Sequence, residues 1–327
     1  MSQRVTILGA GAWGSAVASL MANNGHQVTL WTHEADVADH INQTHTNQKY
    51  LSGAALHPAI MATTDVAAAL AAVDWIVEAI PVVHLRSVLE RVQQVAGAGV
   101  AGKNWLLLSK GLEQTTNLVP SQLLDNVFGV AIPAVVLSGP SFAKDLINKV
   151  PTAVLLAGDL ALGQKAQALV VNRYLRTELA TDQLGVQLCG ALKNVIALAA
   201  GMAHGAGFGD NTRAFVLTEG LAELSQLVQV LGGQQATVYG LAGVGDVVLT
   251  AGSVTSKNFR AGVLLGQGAG LAGVASAMPV APEGFNTVHV VHDLMHQHQL
   301  TLPLFQLTYD CVARAAAFSD GLRLLFF

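Results

Sequence analysis

The feature that most constrains the fold is a glycine-rich turn near the start of the chain. The apolar run Val5–Leu8 is followed by Gly9-Ala10-Gly11-Ala12-Trp13-Gly14, and a helical pattern then covers Ser15–Asn24. In this strand–turn–helix setting, GxGxxG permits a tight turn, close approach of the backbone to a pyrophosphate, and close packing of the helix on the strand. The helix N-terminus then faces the phosphates. The sequence therefore predicts a dinucleotide-binding turn.

The rest of the first half alternates short β-branched runs with amphipathic segments, a pattern typical of βαβ units around a parallel sheet. Several of the runs are apolar at nearly every position, as expected for strands covered on both faces. Glu78 is an exception for which the sequence offers no reason. The predicted strands are Val5–Leu8, Gln27–Trp31, Trp75–Ile80, Trp105–Ser109, Val135–Ser138 and Ala153–Ala157.

The second half has a different character. From about Gln187 to Phe327, strand-like runs give way to long Ala-, Leu- and Gly-rich segments with helical spacing. A chain of 327 residues also exceeds the size at which one hydrophobic core usually stops growing. We therefore expect an α/β Rossmann-type, doubly wound dinucleotide-binding domain over residues 1–186, and an all-α domain over residues 187–327.

Charge and composition exclude several classes of protein. The net charge of −4 and the lack of any basic run argue against nucleic-acid binding. No uninterrupted apolar run approaches the roughly 18 residues of a membrane span. Cys189 and Cys311 stand far apart without a CxxC spacing, which predicts neither a disulfide framework nor a zinc knuckle. We expect a protein of the reducing cytoplasm, and the sequence leaves its oligomeric state open, a homodimer included.

The end of the second predicted strand bears on the coenzyme. A site selective for NAD usually has an acidic residue there, about 20 residues after the glycines, to hold the ribose hydroxyls. This chain has Trp31-Thr32-His33-Glu34. His33 suits a 2′-phosphate and Glu34 suits a ribose, so the sequence leaves the choice between NAD and NADP open.

Two loops follow strands at the carboxyl edge of the predicted sheet, where doubly wound sheets place ligands. They are Ser109-Lys110-Gly111-Leu112-Glu113 and Leu137-Ser138-Gly139-Pro140-Ser141-Phe142-Ala143, and each alone is more often an ordinary loop. Further motifs follow in the helical half. They are GALKNV at Gly190–Val195, GFGDNTRA at Gly207–Ala214, GLAGVGDVVLT at Gly240–Thr250, Ser256-Lys257-Asn258, and Pro282-Glu283-Gly284.

In this order, the motifs make the chain resemble the NAD(P)-dependent glycerol-3-phosphate dehydrogenases of the bacterial type. The resemblance runs from the first strand to at least Gly284, nearly the whole chain. It implies reversible reduction of dihydroxyacetone phosphate to sn-glycerol 3-phosphate with NADH or NADPH, in an interdomain cleft, without a metal, and in supply of phospholipid synthesis. Residues 187–327 are then the substrate-binding and catalytic domain.

In that family a lysine of the LKNV motif transfers the proton, which assigns this role to Lys193. The pKa of a lysine falls on burial, so a buried Lys193 can donate a proton to the oxygen that hydride addition leaves negative. An isolated lysine in such a helix would more often brace or cap it, and only the surrounding motif reverses that interpretation. Asp246 is expected to orient Lys193 or a substrate hydroxyl; its alternative role is a helix cap.

The resemblance assigns further contacts, among them a contact of Lys110 with both substrate and nicotinamide. The expected substrate-binding residues are Lys110, Gly139, Ser141, Lys193, Asp246, Ser256, Lys257 and Asn258. The expected coenzyme-binding residues are Gly9, Gly11, Ala12, Trp13, Gly14, His33, Lys110, Ala143, Lys257, Ala281 and Glu283.

The segment expected to bind the substrate phosphate, Ser256-Lys257-Asn258, departs from the family pattern. Its hydroxyl, cation and amide donors converge at a predicted helix start. The family usually has arginine where Lys257 stands and more cations just after it; here Phe259 replaces one of those cations, while Arg260 remains. Residues 251–255 also differ from the common pattern. Because lysine lacks the bidentate fork of arginine, a weaker affinity for phosphate is expected.

Two other functions stay open. A related reductase of a small hydroxy or keto acid would tolerate Lys257, whereas phosphate selectivity needs Ser256, Asn258 and a neighbouring cation together. A dinucleotide-binding regulator without catalysis would bind the coenzyme without turnover, and the presence of Lys110, Lys193 and Asp246 argues against it.

A histidine stripe, His289, His292 and His296, lies at helical spacing near the end of the chain. A metal site would need three ligands and groups that orient them. We interpret the stripe as a solvated helix face.

Overall fold

The computed structural model describes residues 2–278 and 280–326, except for the side chain of Ala98. Its contacts divide the chain into two compact units. The first comprises Met1–Ser109 and Pro120–Gln183, and the second comprises Lys110–Val119 and Leu184–Phe327. The short segment Lys110–Val119, which lies in the first half of the sequence, therefore packs with the helical second half.

The first unit is built on a sheet of eight strands. The strands of the unit are β1 (Arg4–Leu8), β2 (Gln27–Trp31), β3 (Thr46–Asn47), β4 (Leu51–Ala55), β5 (Met61–Thr63), β6 (Trp75–Glu78), β7 (Asn104–Leu107), β8 (Ala134–Ser138), β9 (Thr152–Gly158) and β10 (Leu175–Ala180). The order in the sheet is β10-β9-β8-β7-β6-β1-β2-β5, with β3 and β4 as a separate antiparallel pair. All pairings in the large sheet are parallel except β8 with β9.

The six strands predicted from the sequence are all present, which confirms the parallel, dinucleotide-binding type of sheet. Two edge strands were not predicted, because β5 has only three residues and β10 mixes exposed and buried positions. The helices of this unit are α1 (Ala12–Asn23), α2 (Ala35–Thr44), α3 (Val66–Leu70), α4 (Val82–Ala96), α5 (Pro120–Phe128), α6 (Ala143–Ile147) and α7 (Leu160–Val170). The central strands β1 and β6 are buried almost throughout, as strands covered on both faces must be.

The second unit contains helices and, among its described residues, no strand. Its helices are α8 (Gln183–Gly205), α9 (Asp210–Val230), α10 (Gln235–Val238), α11 (Asp246–Ala251), α12 (Lys257–Gly266), α13 (Gly270–Ala277), α14 (Gly284–Gln297), α15 (Pro303–Arg314) and α16 (Phe318–Leu324), with a π-helical turn at Leu241–Gly245. Glu223 on α9 accepts hydrogen bonds from the N–H groups of Leu304 and Phe305 at 2.6 and 2.8 Å, and so caps the buried start of α15. Burial raises the pKa of this carboxyl to about 7.

Helix α8 is the central element of the second unit. By length and hydropathy alone it is the one helix among the described residues that would be able to cross a membrane, but its whole apolar window is buried inside the protein. The sequence predicts no membrane span, since no uninterrupted apolar run is long enough, and this helix itself contains the polar residues Lys193 and Asn194. We attribute the high hydropathy of α8 to its burial in the core of the second unit.

Glycines allow α8 and α12 to pack backbone against backbone. A β-carbon at Gly201 would lie 2.1 Å from the carbonyl oxygen of Phe259, and one at Gly262 would lie 2.2 Å from that of Leu198. Neither clash can be relieved by turning a side chain, since the opposing atoms belong to the main chain. The N-terminus of α12 is therefore held at a fixed place relative to α8.

Substitution Gly201→Ala is expected to destabilise the second unit by about 2 kcal/mol or more, because the added methyl group has no space between the two helices. Gly209→Ala is the matched control, since a β-carbon at Gly209 would meet nothing within 4 Å. Urea unfolding of both variants measures the difference. Equal stability of the two variants would contradict the close packing of α8 and α12.

Candidate active site

The glycine turn after β1 has the geometry of a phosphate-binding turn. Gly9 has a φ of +111°, and a β-carbon there would lie 2.5 Å from the carbonyl oxygen of Ala79. A β-carbon at Gly14 would lie 2.0 Å from the carbonyl oxygen of Gly9. At Gly11, by contrast, a β-carbon would meet nothing within 4 Å. Two glycines are thus required by packing, and the third leaves open space at the start of α1, which fits a pyrophosphate.

Asn47 supports this turn and was missed by sequence analysis. Its buried amide nitrogen donates to the carbonyl oxygen of Ala10 at 2.7 Å and to the hydroxyl of Ser15 at 2.9 Å. No local pattern distinguishes Asn47 from a loop asparagine, because its partners lie more than thirty residues away in sequence. The expected coenzyme residues Ala12 and Trp13 are half-buried at the start of α1.

Glu34, the acidic residue of the predicted ribose site after β2, already has two partners within the protein. The carboxylate of Glu34 accepts a hydrogen bond from the hydroxyl of Tyr50 at 2.8 Å and forms an ion pair with Lys49. Burial opposes ionisation of Glu34, but these two donors outweigh it and lower its pKa. His33, expected to contact the coenzyme, is exposed beside it. A carboxylate and an ammonium group therefore lie side by side after the end of β2.

Glu78 is the unexplained acidic residue of the sheet, and the structure shows its partners. Its Oε1 accepts hydrogen bonds from the N–H of Ile80 at 2.6 Å and the hydroxyl of Ser109 at 2.5 Å, and its Oε2 accepts one from the N–H of Ser109 at 3.3 Å. Full burial outweighs these donors and raises the pKa of the carboxyl to about 7.

The loop after β8 carries three further predicted residues. Gly139 is buried with a φ of +135°. The hydroxyl of Ser141 is half-buried and donates to the carbonyl oxygen of Gly139 at 3.0 Å. Ala143 begins α6 and packs partly against the core of the first unit. These residues lie at the carboxyl edge of the sheet, as the sequence predicts for a ligand-binding loop.

In the second unit, one buried carboxylate joins two lysines. Lys193 on α8 is 7% exposed, and its Nζ donates to Oδ1 of Asp246 at 2.5 Å. Lys110 donates through Nζ to Oδ2 of the same carboxylate at 2.6 Å. Thr250, one turn further along α11, accepts from Lys193 at 3.1 Å and donates to Asp246 at 3.2 Å. The structure thus brings Lys110, Lys193 and Asp246 together and adds Thr250 beside them.

The pKa values of Lys193 and Asp246 are both lowered in this cluster, for different physical reasons. Burial, with a smaller contribution from the charge of Lys110, lowers the pKa of Lys193 to about 8, although Asp246 opposes the shift. For Asp246, burial favours the neutral acid, but the two ammonium groups outweigh it and hold the pKa below its usual value. The cluster therefore contains an ionised carboxylate and a lysine that exchanges its proton near neutral pH.

The predicted phosphate segment forms the start of α12. Ser256 is the N-cap, and its hydroxyl accepts from the N–H of Phe259 at 3.2 Å. The side chain of Asn258 donates to Oδ1 of Asn194 at 2.9 Å and accepts from the N–H of Gly284 at 2.8 Å. Asn194, which follows Lys193 on α8, was not selected from the sequence, although it lies in the LKNV motif.

The remaining predicted residues surround this helix start. Lys257 and Arg260 are exposed, whereas Phe259, which stands where the family has a cation, is 4% exposed and faces His204. Ala281 is exposed, and Glu283 is half-buried at the start of α14.

In the histidine stripe, His292 stacks on Tyr309 at 3.7 Å between ring centroids. No group of three or more metal-ligating side chains occurs within the described residues.

Comparisons with known proteins point to one family. The family model for the N-terminus of NAD-dependent glycerol-3-phosphate dehydrogenase matches residues 4–161, and the model for the C-terminus matches residues 182–323. The chain is 38% identical over 325 residues to glycerol-3-phosphate dehydrogenase [NAD(P)+] 1 of Lactobacillus delbrueckii, covering 98% of this chain and 96% of that protein. It is 40% identical over 318 residues to glycerol-3-phosphate dehydrogenase [NAD(P)+] of Enterococcus faecalis, covering 95% and 91%.

A solved structure gives the same result. The crystal structure of glycerol-3-phosphate dehydrogenase from Coxiella burnetii superposes with a TM-score of 0.94 at 31% identity, covering 99% of each chain. Fold and sequence similarity therefore agree over nearly the full length of both units.

The buried Glu78 gives a pH-dependent stability that Glu78→Gln should remove. Because its pKa is raised to about 7 in the folded protein, from an ordinary value of 4.5, the wild type loses stability relative to Glu78→Gln as pH rises from 4.5 to 7. The full difference is on the order of 3 kcal/mol. Urea unfolding between pH 4 and 8 measures this difference. Glu223 also has a raised pKa, but it is present in both proteins, so its contribution to the pH dependence cancels. A difference that does not vary with pH would contradict the assignment.

Proposed function

Because this chain belongs to the family of NAD-dependent glycerol-3-phosphate dehydrogenases, we infer that it is an oxidoreductase that interconverts dihydroxyacetone phosphate and sn-glycerol 3-phosphate with NAD or NADP. The observation that carries the catalytic part of the proposal is the buried cluster of Lys110, Lys193 and Asp246. A purely structural role rarely requires a buried and a half-buried lysine on one buried carboxylate, since desolvating these charges is costly.

The first unit would hold the coenzyme. The turn Gly9–Gly14 and the start of α1 would take the pyrophosphate, and Glu34 with Lys49 would meet the adenosine ribose or its 2′-phosphate. When bound, the nicotinamide ring supplies or accepts the hydride. The protein's own contribution is to position the dinucleotide and to provide a proton to the substrate.

Lys193 is proposed as the proton donor. As the substrate carbonyl is reduced, its oxygen gains negative charge, and the ammonium of Lys193 stabilises that charge and then transfers its proton. In the reverse direction the neutral amine accepts the proton of the hydroxyl group. A pKa of about 8 suits both directions near neutral pH. Asp246 and Thr250 fix the orientation of the amine, and Lys110 adds positive charge beside the reacting oxygen.

The start of α12 is proposed to bind the substrate phosphate. Ser256, Lys257 and Asn258 are supported by a helix N-terminus, which favours an anion, and by the buried Asn194–Asn258 pair, which fixes its geometry. Binding energy gained at the phosphate, remote from the reacting carbon, orients the carbonyl group and so contributes to the rate.

The physiological setting belongs to the same proposal. We propose that the enzyme works in the cytoplasm, as two buried free cysteines among the described residues are compatible with a reducing compartment. Its product would supply phospholipid synthesis. A homodimer is also proposed, and light scattering on the purified protein would test it.

A substrate panel tests the reaction. We expect oxidation of NADH or NADPH with dihydroxyacetone phosphate, and none with unphosphorylated dihydroxyacetone or a 2-keto acid, because only the phosphorylated ketone reaches both proposed subsites. The decrease in absorbance of the reduced coenzyme measures turnover. Equal activity on the keto acid would indicate a reductase of carboxylated substrates instead, and coenzyme binding without turnover of any substrate would indicate a regulator.

Lys193→Met is expected to lower kcat by about 10²- to 10⁴-fold, the usual contribution of a general acid. The fold should persist, because Asp246 keeps its ion pair with Lys110. Coenzyme affinity should stay within about twofold, since the pyrophosphate turn is unchanged. Lys165→Met, at an exposed position of α7, is the matched control and should keep the wild-type kcat. A Lys193→Met variant with near wild-type turnover would refute the proton-transfer role.

A further inference from the structure

Glu78 has no part in the reaction described above, yet its carboxyl group is fully buried, which costs free energy. It is the last residue of β6, a strand of the central sheet that is otherwise apolar, and its exposed fraction is 0%. Moving a carboxyl group into such a place costs free energy unless its hydrogen bonds are made. Three of its hydrogen bonds come from two residues, Ile80 and Ser109, each of which follows the end of a strand.

The contacts of Glu78 fix two loops at once. Through Ile80 it holds the main chain that leaves β6, and through Ser109 it holds the main chain that leaves β7. The hydroxyl of Ser109 also contacts the carbonyl oxygen of Ile80, which closes a small ring of hydrogen bonds among the three residues. An apolar side chain at position 78 would leave the N–H of Ile80 without the acceptor it has here.

The residue between Glu78 and Ile80 lies against the glycine turn but has its own hydrogen bond to β1. Between Glu78 and Ile80 lies Ala79, whose carbonyl oxygen would be 2.5 Å from a β-carbon at Gly9 and whose methyl group would be 3.2 Å from one at Gly14. The N–H of Ala79 donates to the carbonyl oxygen of Leu8. Because β1 holds Ala79 through this bond independently of Glu78, loss of the Glu78 carboxyl is expected to act on Ile80 and Ser109 rather than on the turn.

The strand order shows which half of a dinucleotide this position serves. β1 lies between β2 and β6, and the strand order reverses there. In doubly wound sheets the dinucleotide crosses this point, with the adenosine ribose at the end of the second strand. That end carries His33 and Glu34. The other half of the coenzyme, the nicotinamide riboside, then belongs on the side of β6 and β7. Glu78 hydrogen-bonds the main chain that follows each of these two strands.

We propose that Glu78 is a positioning residue for the nicotinamide half of the coenzyme, acting through the main chain of Ile80 and Ser109 rather than by touching the coenzyme. The proposal rests on the coenzyme site inferred above. It assigns to the unexplained acidic residue of β6 a task that differs from support of the whole glycine turn, because the adenosine half binds on the opposite side of β1.

The test compares whole coenzyme with a fragment that lacks nicotinamide. Isothermal titration calorimetry gives the Kd of NADH and of ADP-ribose for the wild type, Glu78→Leu and Glu78→Gln; if the wild type prefers NADPH, the pair is NADPH and 2′-phospho-ADP-ribose. Gln is the conservative variant, since its amide oxygen accepts from Ile80 as the carboxylate does. Leu has a similar size but accepts no hydrogen bond.

We expect Glu78→Leu to weaken binding of the whole coenzyme by about tenfold, the effect of losing one to two buried hydrogen bonds, with the fragment unchanged within about twofold. Glu78→Gln should restore the wild-type affinity for both ligands. An unchanged Kd for whole coenzyme in Glu78→Leu would overturn the proposal. An equal loss of affinity for both ligands would also overturn it, because it would indicate that Glu78 supports the glycine turn as a whole. A wild type that binds neither ligand would overturn the coenzyme site itself, and this proposal with it.

Discussion

The interaction on which the proposed chemistry depends is the sharing of one buried carboxylate by two lysines. Asp246 is 1% exposed, and both of its oxygens are taken, one by Lys193 and one by Lys110. The arrangement carries an excess positive charge in a desolvated place. Burial, aided by the charge of Lys110, outweighs the attraction of Asp246, so the proton of Lys193 is held less tightly than in water. A negative charge that develops on a bound substrate would relieve this excess. The same electrostatic imbalance therefore serves proton transfer and stabilisation of an alkoxide.

Holding such a cluster requires a rigid frame, and the second unit supplies it through close helix packing. The main chains of α8 and α12 approach each other at Gly201 and Gly262, where no β-carbon would fit. Lys193 lies on α8, and the proposed phosphate-binding segment begins α12, so one helix contact fixes the spacing between the two ends of a small substrate. The hydrogen bond between Asn194 and Asn258 strengthens the same contact. Positioning of this kind is a large part of catalysis for small, flexible substrates.

The sequence predicted what depends on local pattern and missed what depends on distant contacts. The glycine turn, the six main strands and the change to helices follow from spacing and composition, and all are present. The ion pairs of Asp246 join residues 53 and 136 positions apart, and no local pattern reveals them; only the resemblance to a family placed Lys110, Lys193 and Asp246 in one site. Glu78 stayed unexplained because its partner Ser109 lies at the end of the neighbouring strand.

The measurement that tests the central claim most directly is the titration of Lys193 itself. Lysine side chains labelled with ¹³C at Cε report the charge of each amine by NMR, and comparison with Lys193→Met identifies the resonance. The account predicts a midpoint near 8, because burial and Lys110 together outweigh the attraction of Asp246. A midpoint at the ordinary lysine value of about 10.5 would show that the amine is solvated, and would contradict its role as a proton donor poised near neutral pH.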